Sequence, residues 1–509
     1  MKKKKKPQQQ VAEILLEYLT GGYVGFMLLI FPLVFHNAYF DIFTTKRYTY
    51  LVATSAFLIF AAVLLLVLLA QRSLKLTERI GKPVLCFAGA ELILLLFSLL
   101  LVDNPAEMFW GVSGRRLGVL VMCMCVVTML LIAAYGAWQT SARWCLLIGS
   151  AVVYFLQITD EWQLNLLGMH LPNVQDTLFV STIGNINFNA AFNCLTLPVG
   201  IALYMNAKEK VYHWIYGISC VLGFAATICC RSDSGILGLG VSILVLFYIK
   251  RSDEKSSIRF ANVFAFWIVA SVFVLLGYER TQAAGYYISG AVGIFVKWKL
   301  IVAELVIALV WYLLLWSCHN REHMRKCLHK IIGIALLVIL LAVIVGVLVI
   351  NIRHIDLSKY PELARYVVFD DSWGSRRGFI WKETWKQYWQ FDIKKLLFGC
   401  GITNYKTTAI IESAEYGLAA GATIDAHCEL LQLLFTTGIF GVVSYFGMEL
   451  SVLIASIRAY RNDRQEALMG ILVISGYLAQ GMVNNLQIAT TPVWFVLLGL
   501  FCAVTRKTT

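Results

Sequence analysis

Charge is scarce in this 509-residue chain: Asp, Glu, Lys and Arg make up 14% of it, against about 25% in ordinary soluble domains. Proline is scarce too, with 8 residues, so few long helical runs are broken. The 13 cysteines contain no CxxC pair and most lie inside apolar runs, where Cys packs as a small hydrophobe. They supply no metal-ligand pattern. No internal repeat is visible, nor any low-complexity tract beyond residues 2–10. These shortages exclude a soluble enzyme, a disordered chain and a secreted disulfide scaffold.

What fills the chain is apolar residue, 59% of the total, with a mean hydropathy of +0.72. A bilayer core requires about 20 such residues in a row. About fourteen stretches approach that length, at 19–36, 49–70, 83–102, 117–137, 144–158, 188–206, 212–230, 235–250, 260–277, 298–318, 331–350, 439–457, 467–484 and 490–505. The weakest is the short 144–158, so a count of 12–14 fits. Residues 284–296 read as a possible re-entrant segment. The expected fold is an all-α polytopic membrane protein.

The 43 Lys+Arg exceed the 30 Asp+Glu by 13, and their placement predicts orientation. With the Lys2–Lys6 run in the cytoplasm and the spans alternating, about 25 of the basic residues fall in cytoplasmic segments, about 8 in short external loops and about 10 in one long external loop. Long loops are exempt from the positive-inside rule. Both termini are therefore expected in the cytoplasm of a cell bounded by this membrane. The excess charge calls for no nucleic-acid partner. The first apolar stretch has no small-residue cleavage site near Asn37 and reads as an uncleaved signal-anchor. The expected organisation is a basic cytoplasmic N-terminus (1–18), a membrane domain of about eleven spans (19–350), an extracytoplasmic loop (351–437) and a membrane domain of about three spans with a cytoplasmic C-terminus (438–509).

Chemistry is sought at the outer ends. Arg377, Trp381, Trp385 and Trp389 share one face of a helix expected from about Ser375 to Phe391, with Ser375 as N-cap. Such a helix lies on the membrane surface, or holds Arg377 above a lipid-linked substrate. Gly399 and Gly401 suit a plain turn or a turn with N–H groups facing an anion. Asp425 is a candidate N-cap that would put His427 in a first helical turn, where the helix dipole favours the neutral imidazole. Gly438 and Gly441 allow a bend. Asn185, Asn189 and Asn193 share a face that links helices or lines a cavity. Arg231 sits between two spans and needs an anionic partner, Asp233 or a phosphate. Arg115 and Arg116 add external cations that orientation does not ask for. Glu91, Glu304 and Glu449 are single carboxylates in apolar runs, paired within the bundle or relaying protons. Cys400 and Cys428 could bond in that compartment.

In their order along residues 100–450 these pieces resemble the O-antigen ligase and O-antigen polymerase superfamily. Asn104-Pro105 with Gly111 and Arg116-Leu117-Gly118 is similar to its NP…G…R..G loop. Gly184-Asn185-Ile186-Asn187 is similar to its GNxN segment, and Arg377 to Trp381 to its RxxxW. Gly399-Cys400-Gly401 with Tyr405 is similar to its GxG…aromatic, and His427 with Leu431 and Gly438 to its HNxxL…G. One departure is Cys428, where the family carries Asn, so that residue's role is missing or supplied elsewhere.

The resemblance implies metal-independent, inverting transfer of a glycan from an undecaprenyl-diphosphate carrier to a glycan, lipid or cell-wall acceptor, with no cofactor. Such chemistry needs a deprotonated acceptor hydroxyl and a neutralised leaving diphosphate. His427 is then the expected base, with Asp425 or Glu429 as substitutes. Arg231 and Arg377 are the expected diphosphate clamp, with Arg376 and Arg116 in reserve and Asn185 and Asn187 at the substrate. Ligase and polymerase are not separated by these motifs. A polysaccharide flippase and a non-catalytic assembly protein are the competing classes.

Overall fold

A computed structural model describes residues 7–72, 76–111, 115–170, 178–250, 253–282, 292–318, 321–413, 418 and 423–506. The basic run at 2–6, residues 112–114 of the Asn104 loop and 284–291 of the expected re-entrant stretch lie outside them.

The chain folds as an all-α polytopic membrane protein, because apolar segments leave backbone N–H and C=O groups with no partner except one another. In order the helices are α1 (Pro7–Gly25, prolonged by π and 3-10 turns to Leu33), α2 (Ile42–Ala70), α3 (Leu76–Ile80), α4 (Lys82–Ser98), α5 (Pro105–Trp110), α6 (Val119–Tyr135) and α7 (Thr140–Glu161). There follow α8 (Ile186–Asn206), α9 (Lys210–Cys229), α10 (Asp233–Ile249), α11 (Glu254–Gln282), α12 (Val292–Phe295), α13 (Trp298–Ser317) and α14 (Glu322–Ile352). The last are α15 (Pro361–Val367), α16 (Trp373–Tyr388), α17 (Ile393–Phe398), α18 (Tyr405–Thr408), α19 (Glu429–Arg461), α20 (Ala467–Gly481) and α21 (Thr491–Thr505). One short antiparallel pairing, Phe179–Val180 with Gly184–Asn185, precedes α8.

Among the described residues, ten helices are long and apolar enough to cross a membrane. Four further apolar helices, α6, α10, α20 and α21, are shorter. The 15 residues of α20 and of α21 reach about 22 Å at 1.5 Å per residue, short of a core of about 30 Å. Each of these helices overlaps one stretch read from the sequence. The stretch 144–158, weak as sequence, belongs to the 22-residue α7. Its polar ends, Thr140 to Arg143 and Thr159 to Glu161, hide its length from a hydropathy reading.

Burial ranks the helices. The apolar window of α8 is 89% buried and that of α14 only 6%, so α8 is central and α14 peripheral. Helix α8 packs on α9, α10 and α20, α6 on α21, and α19 on α4 and α20. The expected asparagine face divides: Asn189 and Asn193 both bond Gln157 of α7, at 2.7 and 3.0–3.2 Å, and so tie helices together. Where α1 breaks near Pro32, the buried Lys46 ammonium donates to the carbonyls of Phe31, Pro32 and Val34 at 3.0–3.2 Å. Those carbonyls would otherwise be orphaned in an apolar interior.

The polar segment between α14 and α19 builds a small core of its own from Ile380, Tyr388, Cys400, Tyr405, Ile411, Ala426 and Phe435. It is locked onto α19 by two glycines. Gly438 has φ +69° and kinks α19; a Cβ there would lie 2.4 Å from the Leu397 carbonyl. Gly399 has φ +76°, and a Cβ there would lie 2.2 Å from the Thr436 carbonyl. The kink frees carbonyls that accept from the N–H groups of Cys400 (to Phe435, 3.2 Å) and Gly401 (to Thr436, 2.9 Å). The Gly399–Gly401 turn therefore spends its N–H groups on the Lys395 carbonyl and on α19, and presents none of the three to an anion.

Candidate functional site

Asp425 is the centre of the arrangement. It lies in the last turn of chain before α19 and its side chain is 2% exposed. A carboxylate so buried must be paired. Arg115, just before α6, contacts Asp425 Oδ2 through both Nε and a terminal nitrogen at 2.5 Å. The Asn485 amide, between α20 and α21, donates to Oδ1, and the His427 backbone N–H donates to the same oxygen at 3.0 Å. Burial alone would raise the Asp425 carboxyl, but Arg115, His427 and these bonds hold it below the usual carboxylate range.

Asp425 thus does not cap a helix. Cys428 occupies the N-cap of α19, and His427 precedes it with a left-handed backbone, φ +50°. The expected place of His427 within a first helical turn is corrected accordingly: the Asp425 carboxylate draws the 427 amide into a tight turn before the helix can begin. The His427 ring remains 34% exposed, with Nδ1 3.2 Å from Asp425 Oδ1 and 3.4 Å from the Asn485 amide. Burial lowers the imidazole pKa, as do the charges of Arg115 and Arg377, while Asp425 opposes them; the net shift is downward. The imidazole is thus biased toward its neutral form, through burial and two guanidiniums rather than through a helix dipole.

Arg377 begins the regular part of α16. The residues before it, Gly374, Ser375 and Arg376, all have positive φ, so Ser375 is not the N-cap and Arg376 is exposed to solvent. Arg377 lies within electrostatic reach of Asp425, Asp233 and His427. Among the described residues no carboxylate comes within ion-pair distance of it. One turn on, Trp381 donates its indole N–H to the Ala426 carbonyl at 2.9 Å, pinning α16 beside His427. Trp385 and Trp389 remain 50% and 58% exposed. Trp381 and Trp385 form one wall of an apolar groove of about 450 Å³, with Leu430, Leu431, Leu434 and Met482 opposite.

Arg231 lies in the α9–α10 turn with φ +53°. Its Nε is 3.2 Å from Glu161 at the end of α7, a carboxylate partner far earlier in the chain. The neighbouring Ser232 donates to the Asn187 side chain at 2.7 Å, and Asn484 donates to the Asn187 carbonyl at 2.8 Å. Asn185 is the N-cap of α8, its side chain accepting from the Asn187 N–H at 2.9 Å. The starts of α6, α8 and α19 and the α9–α10 and α20–α21 turns therefore meet at one end of the bundle. Arg115, Asn187, Arg231, Arg377, Asp425 and His427 share that end.

Two of the expected residues sit apart. Glu429 is 3% exposed and turned into the bundle beside Tyr445, with its Oε1 unbonded among the described residues. Arg116 has a left-handed backbone, φ +63°, and it is its neighbour Arg115 that reaches Asp425. Cys400 and Cys428 are both free thiols. Three contributors were not singled out from sequence: Glu161, Asn484 and Asn485. The Asn484-Asn485 pair was the available signal, being the break in an otherwise apolar 467–505.

No curated protein matches the chain. Residues 288–446, which contain Arg377, Asp425 and His427, match the family model described as O-antigen ligase. That match, confined to residues 288–446, supports the resemblance of the chain to the O-antigen ligase and O-antigen polymerase superfamily of membrane proteins.

Proposed function

We propose that the protein transfers an oligo- or polysaccharide from an undecaprenyl-diphosphate carrier to an acceptor hydroxyl, by ligase-type glycosyl transfer at the outer face of the cytoplasmic membrane. The O-antigen ligase domain supports glycosyl transfer in polysaccharide biosynthesis. The observation that carries the finer reading is the joining of Arg115, Asp425 and His427 beside Arg377, a cation with no carboxylate at ion-pair distance among the described residues.

In this reading Asp425 is a positioning residue. Its Oδ1 lies 3.2 Å from His427 Nδ1 and favours the tautomer protonated there, which leaves Nε2 to take the proton of the acceptor hydroxyl. The acceptor oxygen then bonds to the anomeric carbon from the face opposite the carrier. The bond from that carbon to the diphosphate oxygen breaks, and the diphosphate departs with the electron pair. Arg377 offsets the charge that develops there, with Arg231 across the same end of the bundle. The groove lined by Trp381, Trp385 and Leu431 offers the polyprenyl chain an apolar path beside the charged site. Asn485 supplies the amide that the residue after His427 does not, since Cys428 stands there.

A flippase reading gains no support from the buried carboxylates. Glu91, Glu304 and Glu449 each accept from a neutral donor, Ser444, Trp267 and Trp494; Glu91 and Glu449 lie within electrostatic reach of each other, on α4 and α19, and Glu304 stands apart on α13. The test is to incubate purified protein with a polyprenyl-diphosphate oligosaccharide and a candidate acceptor. Transfer of one glycan to a foreign acceptor supports the ligase; a ladder of repeat multiples supports a polymerase. No transfer, with cell-surface glycan unchanged in His427→Ala, overturns both.

A further inference from the structure

The opposite end of the bundle holds a second and larger cleft, of about 1160 Å³, between α9 and α11. The 20 residues of α9 carry it about 30 Å, roughly one bilayer core, from the turn that bears Arg231. The mouth of the cleft, at the start of α9, therefore stands apart from the site around His427.

Its lining changes character along its length. At the bundle end stand Lys208, Lys210, Lys255 and Arg259, against one lining carboxylate, Glu254, which already has Arg325 at 3.5 Å. The three lysines are exposed. Arg259 is buried, its guanidinium donating to the carbonyls of Met205 and Ala207, and so adds fixed charge to the floor. Deeper along the helices the walls become apolar, with Trp214, Ile218 and Val221 on α9 and Phe266, Val269 and Phe273 on α11. Phe266 lies 3.1 Å from where a Cβ on Gly217 would sit, closing the floor between the helices. Trp214 is 74% exposed at the boundary between the two zones, where an indole is favoured at a membrane interface.

Cations at the mouth and an apolar trough running toward mid-bundle match one ligand chemistry: a phosphodiester headgroup with acyl chains. A free phosphate would leave the trough empty. A second copy of this chain would bring its own lysines against these. We infer that the cleft binds an anionic phospholipid of the leaflet opposite the transfer site. Its phosphate lies among Lys208, Lys210 and Lys255 and an acyl chain runs past Ile218 and Phe266.

The test is native mass spectrometry of the purified full chain titrated with phosphatidylglycerol and with chain-matched phosphatidylcholine. Phosphatidylglycerol should bind tighter on the order of tenfold or more. A Lys208→Gln/Lys210→Gln/Lys255→Gln variant, altered only at exposed positions, should lose that preference. Ile218→Trp, which fills the trough and keeps the lysines, should weaken retention of both lipids. Glycerol phosphate at millimolar concentration should not displace the bound lipid. Equal binding of the two lipids, an unchanged preference in the lysine variant, or displacement by glycerol phosphate alone overturns the inference. So would a dimer that forms in place of the lipid complex.

Discussion

Arg115 and Asp425 are 310 positions apart in the chain and meet at 2.5 Å, a guanidinium closing on a buried carboxylate. This contact joins the loop before α6 to the segment that carries His427. Removing one partner of a buried ion pair leaves the other charge stranded, at a cost of about 3–5 kcal/mol. Arg115→Ala should therefore lower the melting temperature and the transfer rate together. Arg116→Ala should leave both near wild type. Arg115→Ala combined with Asp425→Asn should regain stability without regaining transfer, which thermal unfolding and a glycan-transfer assay read separately.

The pH profile follows from His427. Its neutral form is the one able to take a proton, and its pKa lies below the ordinary 6.5 because of burial, with Arg115 and Arg377 adding to that effect. Transfer should be full above that lowered value and fall as the pH drops through it, so the acid limb of kcat/KM has its midpoint below 6.5. Arg377→Gln removes one of the cations and should move the midpoint upward. An acid limb centred at or above 6.5 in the wild type contradicts the assignment of His427 as base.

Asn485 gives a test that separates positioning from packing. A hydrogen bond to a charged group contributes about 1.5–3 kcal/mol. Asn485→Leu should lower kcat by roughly tenfold or more on that scale, with KM for the lipid-linked donor little changed. Cys428→Asn should leave the rate within about threefold, because the N-cap position of residue 428 is not where the Asp425 carboxylate receives its amide.

The kink in α19 is a stability element. Ala at 438 would hold a left-handed backbone, costing about 1–3 kcal/mol, and would press on the Leu397 carbonyl as well. Gly438→Ala should reduce the melting temperature and the yield of folded protein. Gly21→Ala, at a position with nothing within 4 Å, serves as the control and should change neither.

The membrane architecture was legible because a span is a local property: about 20 apolar residues declare themselves without reference to any other segment. Each of the fourteen stretches read from sequence overlaps a described apolar helix, of which ten are long enough to cross a membrane, and the expected bend falls at Gly438. The site was legible only where its members lie close in the chain. Asp425 and His427 stood out as a pair. What they do was not readable, since the cap assigned to Asp425 belongs to Cys428 and the carboxylate turns instead to Arg115. The choice between Arg115 and Arg116 depends on a backbone turn that sequence does not specify. Glu161, facing Arg231, and Asn485, facing Asp425, come from helix ends brought near only by packing of the bundle. The Gly399–Gly401 turn shows the converse: its N–H groups suggested an anion site until the kinked helix supplied carbonyls for them.

The central claim is that His427 and Arg377 act together on a lipid diphosphate-linked glycan. The most direct measurement is the single-turnover rate of glycan transfer by purified protein in liposomes, with donor binding measured in parallel, for wild type, His427→Ala and Arg377→Ala. Loss of a positioned base should slow the His427→Ala rate by about 10²–10⁴-fold while donor binding persists; Arg377→Ala should lose both rate and donor affinity. Transfer at the wild-type rate by His427→Ala would contradict the account.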